Sequence, residues 1–294
     1  MTKKLLLIVN PNAGKMKANS TLLELVSEFS SYKYEVTVYP TEKKSDAEKK
    51  VVKCGENYDL IVCYGGDGTL SEIVNGVARL ESPTVFSFVP SGTANDFAAT
   101  VSMPCDVGMA VKKILNGKNR PLDIGGFNNK FFIYVAAFGL FTSVSYTVTQ
   151  DIKKTFGHLS YVVEGIRQAI DIPSYKMTVE FNGKVIKDEF AVGLVTNTTS
   201  VAGMFRLAKS KVKLDDGEFE LFLVKNPGNP ILLSNIIMDL SAQKYDPNYV
   251  IFERVSKVKF RCDESVAWCL DGESGGSHKR AVIENLHKKG MIRL

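Results

Sequence analysis

One turn constrains this chain more than any other, Tyr64-Gly65-Gly66-Asp67-Gly68-Thr69-Leu70. It follows the apolar run Leu60-Ile61-Val62-Cys63 and precedes a pattern with Leu70, Ile73, Val74 and Val77 on one helical face. A short apolar run reads as a buried strand, and apolar residues spaced by three and four read as an amphipathic helix. Strand, glycine turn and helix start form a layout that binds phosphate. Glycines let the backbone approach an anion, and the N–H groups of the helix start face it. Asp67 lies inside this turn. A carboxylate repels phosphates, so it points to a cation, a water or a substrate hydroxyl.

Two better-known phosphate loops do not fit. The third glycine of GxGxxG would stand at position 71, which is Ser. Gly14-Lys15 is followed by Met16, and Val9 stands where a Walker A loop needs glycine. Taken alone, the glycine turn also fits an ordinary strand-to-helix connection.

Two further segments change that balance. Leu5 to Val9 reads as a buried strand running into Asn10-Pro11-Asn12-Ala13-Gly14-Lys15, ahead of a helix carrying Leu22, Leu25, Val26 and Phe29. Val85-Phe86-Ser87-Phe88-Val89 runs into Pro90-Ser91-Gly92-Thr93-Ala94-Asn95-Asp96-Phe97-Ala98. In a parallel sheet such turns share the carboxyl edge, where ligands bind.

Residues 1–122 alternate strand and helix signals, which predicts an α/β fold with a doubly wound parallel sheet. Tyr34, Val36 and Val38 alternate as a half-buried strand, and Ser45 with Glu48 predicts a capping box. Near Pro121-Leu122-Asp123 the character changes to hairpins, including Asn128-Asn129 and Asn182-Gly183. Residues 123–285 therefore read as a mainly antiparallel β-sandwich with inserted helices, the longest over about Asp151 to Ile172. The closing residues 286–294 are expected to rejoin the first domain.

The chain has 294 residues, which suits about two domains at roughly 150 residues each. Five cysteines without metal-like spacing predict reduced thiols and a cytoplasmic setting. The three histidines leave little room for a histidine metal site. The longest apolar stretch, Phe131 to Phe141, is far shorter than the ~20 residues of a spanning helix. There is no basic–aromatic interleaving of the kind that points to nucleic acid. A net charge of +5 suits nucleotides or anionic lipid surfaces.

The segments NPNAGK, GGDGTLSE, SGTANDFA and the late Asp271-Gly272-Glu273 resemble the diacylglycerol kinase catalytic family. That family includes bacterial lipid kinases, sphingosine kinases and ceramide kinases. The motifs run in family order from Asn10 to Glu273. The resemblance implies an ATP- and Mg2+-dependent lipid kinase acting on diacylglycerol or a related lipid alcohol. It places Asn10, Pro11, Asn12, Ala13, Gly14, Thr41, Gly66, Asp67, Gly68, Thr69, Leu70, Ser71, Glu72 and Thr93 on ATP, with Asn95 and Asp96 beside them.

Asp67, Asp96, Asp271 and Glu273 are candidates for the proton acceptor. Bacterial members of the family use the acid at the Glu273 position as base, and sphingosine-kinase-like members use the acid at Asp67. The expectation here is Glu273 as base, with Asp67 organising the nucleotide's magnesium. Asp271-Gly272 by itself reads as a surface turn. The resemblance also implies a structural magnesium at Lys213-Leu214-Asp215-Asp216-Gly217-Glu218. Asp216 would give a carboxylate, Lys213 and Glu218 backbone carbonyls, and Asp123 would join the same network. A family Asn is missing from Tyr134-Val135-Ala136-Ala137-Phe138-Gly139. Phe131, Phe132, Phe138 and Phe141 are candidates for an acyl pocket, with core packing the commoner fate of such residues. Contact with a membrane surface is expected through Lys153, Lys154 and Arg167. A soluble-acceptor kinase and a non-catalytic binding protein stay open as alternatives, and so does a homodimer.

Overall fold

Uninterrupted apolar runs become the central strands of a parallel sheet. In a computed structural model, the structure describes residues 2–13, 18–93, 95–139, 164, 166–167, 172–198, 200–201, 205–206 and 212–294. The chain divides into two compact units, one of Met1–Ile124 with Leu286–Leu294, the other of Gly125–Asn285.

The first unit alternates β1 (Lys3–Val9), α1 (Ala18–Ser31), β2 (Tyr34–Pro40), α2 (Asp46–Cys54), β3 (Leu60–Gly65), α3 (Asp67–Arg79), β4 (Val85–Pro90), α4 (Asp96–Thr100) and α5 (Val107–Asn116). β5 (Asn119–Phe127) then leads out of this unit. β1 pairs in parallel with β2 and β3, and β3 pairs in parallel with β4. Leu5, Leu6, Leu7 and Ile8 are fully buried, as in a sheet covered on both faces. Each such side chain contributes on the order of 2 kcal/mol. Helix α3 buries Leu70, Ile73, Val74 and Val77, the face its sequence spacing predicts.

The expected capping box of Ser45 and Glu48 does not form. Ser45 takes a left-handed conformation at φ 67° and makes no side-chain cap. Glu72 of α3 does that work instead. Its two carboxylate oxygens accept from the N–H groups of Ser45 (2.7 Å) and Ala47 (3.1 Å). Glu48 pairs with Arg79 at 2.9 Å. A distant carboxylate thus takes the place of the local one.

The second unit holds β6 (Lys130–Phe132), β7 (Val135–Gly139), β8 (Tyr175–Phe181), β9 (Lys184–Thr196), β10 (Ser200–Val201), β11 (Phe205–Arg206), β12 (Phe219–Lys225), α6 (Pro230–Ser241), β13 (Val250–Val255) and β14 (Lys257–Leu270). β15 (Glu273–Arg293) starts here and ends in the first unit, where Met291 and Ile292 pair in parallel with Val85 and Phe86 of β4. The β-strand registers of the second unit are antiparallel among the described residues. Asn182 (φ 48°) and Gly183 (φ 73°) form the tight hairpin turn their sequence predicts. Helix α6 escaped the sequence reading. Its signal was present, since Pro230 stands at the first helical position and the Asn229 side chain accepts from Ile231 and Leu232 N–H.

An aromatic cluster centres the second unit. Phe132, Phe138, Phe190 and Phe219 are fully buried, and Trp268 meets Phe138 edge to face with ring centroids 5.0 Å apart. Phe132 and Phe138 are thus core residues rather than the lining of an acyl pocket; Phe141 and most of 151–171 lie outside the described residues.

Candidate functional site: the joined glycine turns and the acid hairpin

In the first unit the three turns meet at the carboxyl edge of the parallel strands. Asn10 N–H donates to Tyr64 O (3.0 Å), and Ser91 N–H donates to Gly65 O (2.9 Å). The Asn10 amide donates to Thr69 Oγ1 at 3.0 Å, and its oxygen accepts from Asn12 N–H. Thr41, after β2, is tied to the same edge by its N–H on Val9 O at 2.8 Å.

The glycines have a reason that motif reading did not supply. A Cβ on Gly92 would lie 2.7 Å from the Gly66 Cα, and one on Gly66 would lie 3.1 Å from the Gly92 Cα. The second and third turns therefore touch backbone to backbone. Asn95 holds the third turn from within, at φ 52°, by accepting from Gly92 N–H (3.0 Å) and donating to Gly92 O (2.8 Å).

Asp67 lies at this junction. Its carboxylate accepts from Asp96 N–H at 3.3 Å, so it also crosses from the second turn to the third. Burial raises its pKa above the ordinary aspartate value, with backbone N–H groups of residues 95–97 opposing that shift. Among the other predicted nucleotide residues, Thr69, Leu70 and Ser71 are buried on α3, with Leu70 N–H donating to Gly66 O at 3.1 Å and Ser71 O accepting from the Asn75 amide at 2.9 Å. Glu72 is committed to α2. Thr93, Pro11 and Asn12 are exposed, and Asp96 is half-buried. Gly14 and Lys15 lie outside the described residues. Ser91 was overlooked by the sequence reading. Its hydroxyl is buried at this edge with no hydrogen-bond partner, and its signal was a hydroxyl directly before Gly92.

The late acids sit on a hairpin of the second unit. Leu270 faces Glu273 across a two-residue turn, with Asp271 at φ 50° and Gly272 at φ 85°. These angles make a type I′ turn, which joins twisted strands without splaying them. Asp271 is buried, and its carboxylate accepts from the N–H groups of Ile133 (2.7 Å), Tyr134 (3.0 Å) and Val135 (3.0 Å). That engagement makes Asp271 a positioning residue for the hairpin. The Glu273 side chain is exposed at the start of β15.

In the segment 213–218 the side chains of Asp216 and Glu218 are held in ion pairs. Asp216 pairs with the Arg254 guanidinium, and its other oxygen accepts from Glu218 N–H at 3.2 Å. Arg254 also pairs with Glu218 at 3.1 Å. A guanidinium thus supplies the positive charge that a cation would bring. Among the described residues no group of three or more His, Cys, Asp or Glu side chains is arranged to hold a metal. Asp123 belongs to the first unit, where its Oδ1 accepts from Lys288 N–H (2.7 Å) and meets His287 Nδ1 (3.1 Å).

Glu220 of β12, absent from the sequence-based candidates, stands opposite Arg254 and Thr196 in register. It is 1% exposed and one carboxylate oxygen has no hydrogen-bond partner. Burial pushes its pKa up to about 8, with Arg254 opposing and Asp216 and Glu218 adding to the shift. An acid with a raised folded pKa is protonated when folded and ionised when unfolded between the two values. Stability should therefore fall as pH rises from about 4.5 to about 8. The slope from this one group approaches about 1.4 kcal/mol per pH unit. Urea midpoints measured across that range should show the decline in the parent chain and a flatter line in Glu220→Gln. Parallel lines would show that Glu220 ionises normally in the fold.

Arg167, expected at a membrane, is exposed and also reaches α6. Its Nε donates to Ser234 Oγ at 3.1 Å, and a terminal nitrogen lies 4.0 Å from Met238 Sδ. Lys153 and Lys154 lie outside the described residues.

Comparison with known proteins agrees with the motif order. Residues 4–127 match the diacylglycerol kinase catalytic domain. A diacylglycerol kinase of Bacillus subtilis (strain 168) is 32% identical over 276 residues, covering 93% of this chain and 91% of the relative. One of Staphylococcus aureus (strain MRSA252) is 32% identical over 278 residues, covering 94% and 88%. A crystal structure of a diacylglycerol kinase from Bacillus anthracis (strain Sterne) matches with a TM-score of 0.78 at 26% identity, covering 99% of this chain and 96% of that one. With such identity over nearly its whole length, the chain belongs to the diacylglycerol kinase family.

Proposed function

We propose that this protein transfers the γ-phosphate of ATP to the hydroxyl of diacylglycerol or a related lipid alcohol, giving a phosphatidic-acid-like product. The observation that carries this reading is the junction of three small-residue turns at one sheet edge. It is held by the Asn10–Thr69 bond, the Asp67–Asp96 bond and the Gly66–Gly92 approach. Phosphoryl transfer asks for positioning and charge stabilisation more than for covalent chemistry by the protein. A rigid backbone cradle supplies the first. The N–H groups opening α3 have no acceptor within the helix, so they are available to phosphate oxygens.

Asp67 is the acid at the cradle that would hold the nucleotide's magnesium, and that cation would neutralise charge on the phosphates. In the reaction the lipid hydroxyl oxygen bonds to the γ-phosphorus. The bond from that phosphorus to the bridging oxygen breaks, and ADP leaves. Glu273, exposed at the start of β15, takes the hydroxyl proton.

The test is γ-labelled ATP with detergent-dispersed diacylglycerol, other lipid alcohols and NAD. Label is expected in a chloroform-soluble product from the lipid alcohols. Label entering NAD alone would overturn the lipid assignment, and no transfer to any acceptor would favour a binding protein.

A further inference from the structure

The second unit carries an open groove of about 630 Å³ on the face of β8, β9, β14 and β15. Its lining includes Lys176, Lys187, Arg261, Lys279, Arg280 and Thr178. Strand register explains why these cations gather. Lys187 of β9 faces Thr178 of β8, Thr178 faces Arg261 of β14, and Arg261 faces Arg280 of β15. Residues directly opposite in a ladder put their side chains on the same face. The row Lys187–Thr178–Arg261–Arg280 therefore crosses four strands, about 14 Å at the usual strand spacing.

This arrangement opposes folding. Like charges directly opposite in an antiparallel pair are destabilising, and Arg261 with Arg280 is such a pair. Among the described residues, Glu180 lies 3.6 Å from Arg261, a carboxylate it shares with Lys259. Three acids also line the groove. Asp188 is taken by Lys225 at 2.8 Å, and Glu189 accepts from Asn226 at 2.9 Å, leaving Asp263. Arg261 keeps 57% of its side chain exposed, and Lys176, Lys187, Lys279 and Arg280 are exposed too. An anion laid on the row would remove the repulsion.

We propose that this groove docks the protein on a bilayer bearing anionic phospholipids, with headgroup phosphates seated along Lys187, Arg261 and Arg280. A bilayer fits better than one soluble phosphate because the cations form a line across a sheet rather than a cup around a point. The Thr178 hydroxyl, the one neutral member of the row, adds a donor between the charges. This docking serves the lipid-kinase reading above by bringing the protein to where its acceptor resides, and it rests on that reading only for its purpose.

The experiment is co-sedimentation with vesicles of phosphatidylcholine containing increasing phosphatidylglycerol, then increasing salt. Binding is expected to rise with the anionic fraction and weaken with salt. Arg261→Gln with Arg280→Gln should lower the partition coefficient about 30-fold, and either alone about fivefold. Lys53→Gln with Lys112→Gln on the first unit changes net charge equally and should lower it far less. Equal losses in the two doubles would overturn the groove in favour of diffuse charge. Full competition by millimolar inorganic phosphate would overturn the bilayer in favour of a soluble phosphate. Turnover on detergent-dispersed diacylglycerol is measured alongside. The arginine double should retain it, so loss of the lipid-kinase reading appears as no turnover in the parent chain, whatever the vesicles show.

Discussion

Asp67→Asn is expected to lower turnover by at least ~10²-fold while the protein stays folded, the low end for loss of an acid–base or cation-organising group. The amide keeps the shape and one oxygen for Asp96 N–H, so the junction of the turns is preserved. What it removes is a half-buried negative charge beside the cradle. Because burial raises the Asp67 pKa, the acidic limb of the rate profile should lie above the ordinary aspartate range and vanish with the carboxylate. Glu273→Gln should lose at least ~10²-fold as well if Glu273 is the base. The two variants separate the roles. A Glu273→Gln enzyme of near-normal rate would pass the base assignment to Asp67, and an active Asp67→Asn would remove Asp67 from the chemistry. Single-turnover kinetics with tight-binding checks for ATP decide between them.

Asp271→Ala is expected to destabilise the second unit by at least ~3 kcal/mol. Three N–H groups now bound to one buried carboxylate would lose their acceptor, at roughly 1–3 kcal/mol each. Alanine at φ 50° adds about 1 kcal/mol of left-handed strain. Asp271→Asn should lose less, since asparagine tolerates that conformation and keeps one acceptor oxygen. Urea unfolding followed by Trp268 fluorescence measures both, because Trp268 lies in the core beside this hairpin. An alanine variant of normal stability and no activity would assign the carboxylate to chemistry instead of to the hairpin.

Much of the first unit was legible in the chain. Apolar runs, spaced apolar faces and small-residue turns are local patterns, and local patterns set strand, helix and turn directly. The same holds for the Asn182-Gly183 hairpin, whose two residues accept positive φ cheaply. Motif order was also enough to reach the family, because four short segments in one order rarely arise together.

Other assignments depended on partners far apart in sequence. Glu72 looked like a nucleotide contact, and only the packing of α3 on α2 showed it capping residues 45 and 47. Gly66 and Gly92 looked like places for a ligand, and only their contact showed that two turns need the space. Asp271 looked like a surface turn or a catalytic acid until residues 133–135 surrounded its carboxylate. The pairing of Asp216 with Arg254 likewise joins residues 38 apart in sequence. The cation row is invisible as a motif, since its members come from four strands and meet only through register. The amino-acid sequence by itself determined the elements, the phosphate-type turns and the family, because those rest on neighbours a few residues apart. Tertiary structure alone decided which acids are engaged in holding the fold. A carboxylate's role follows from the donors and charges around it, and those are brought together only by folding.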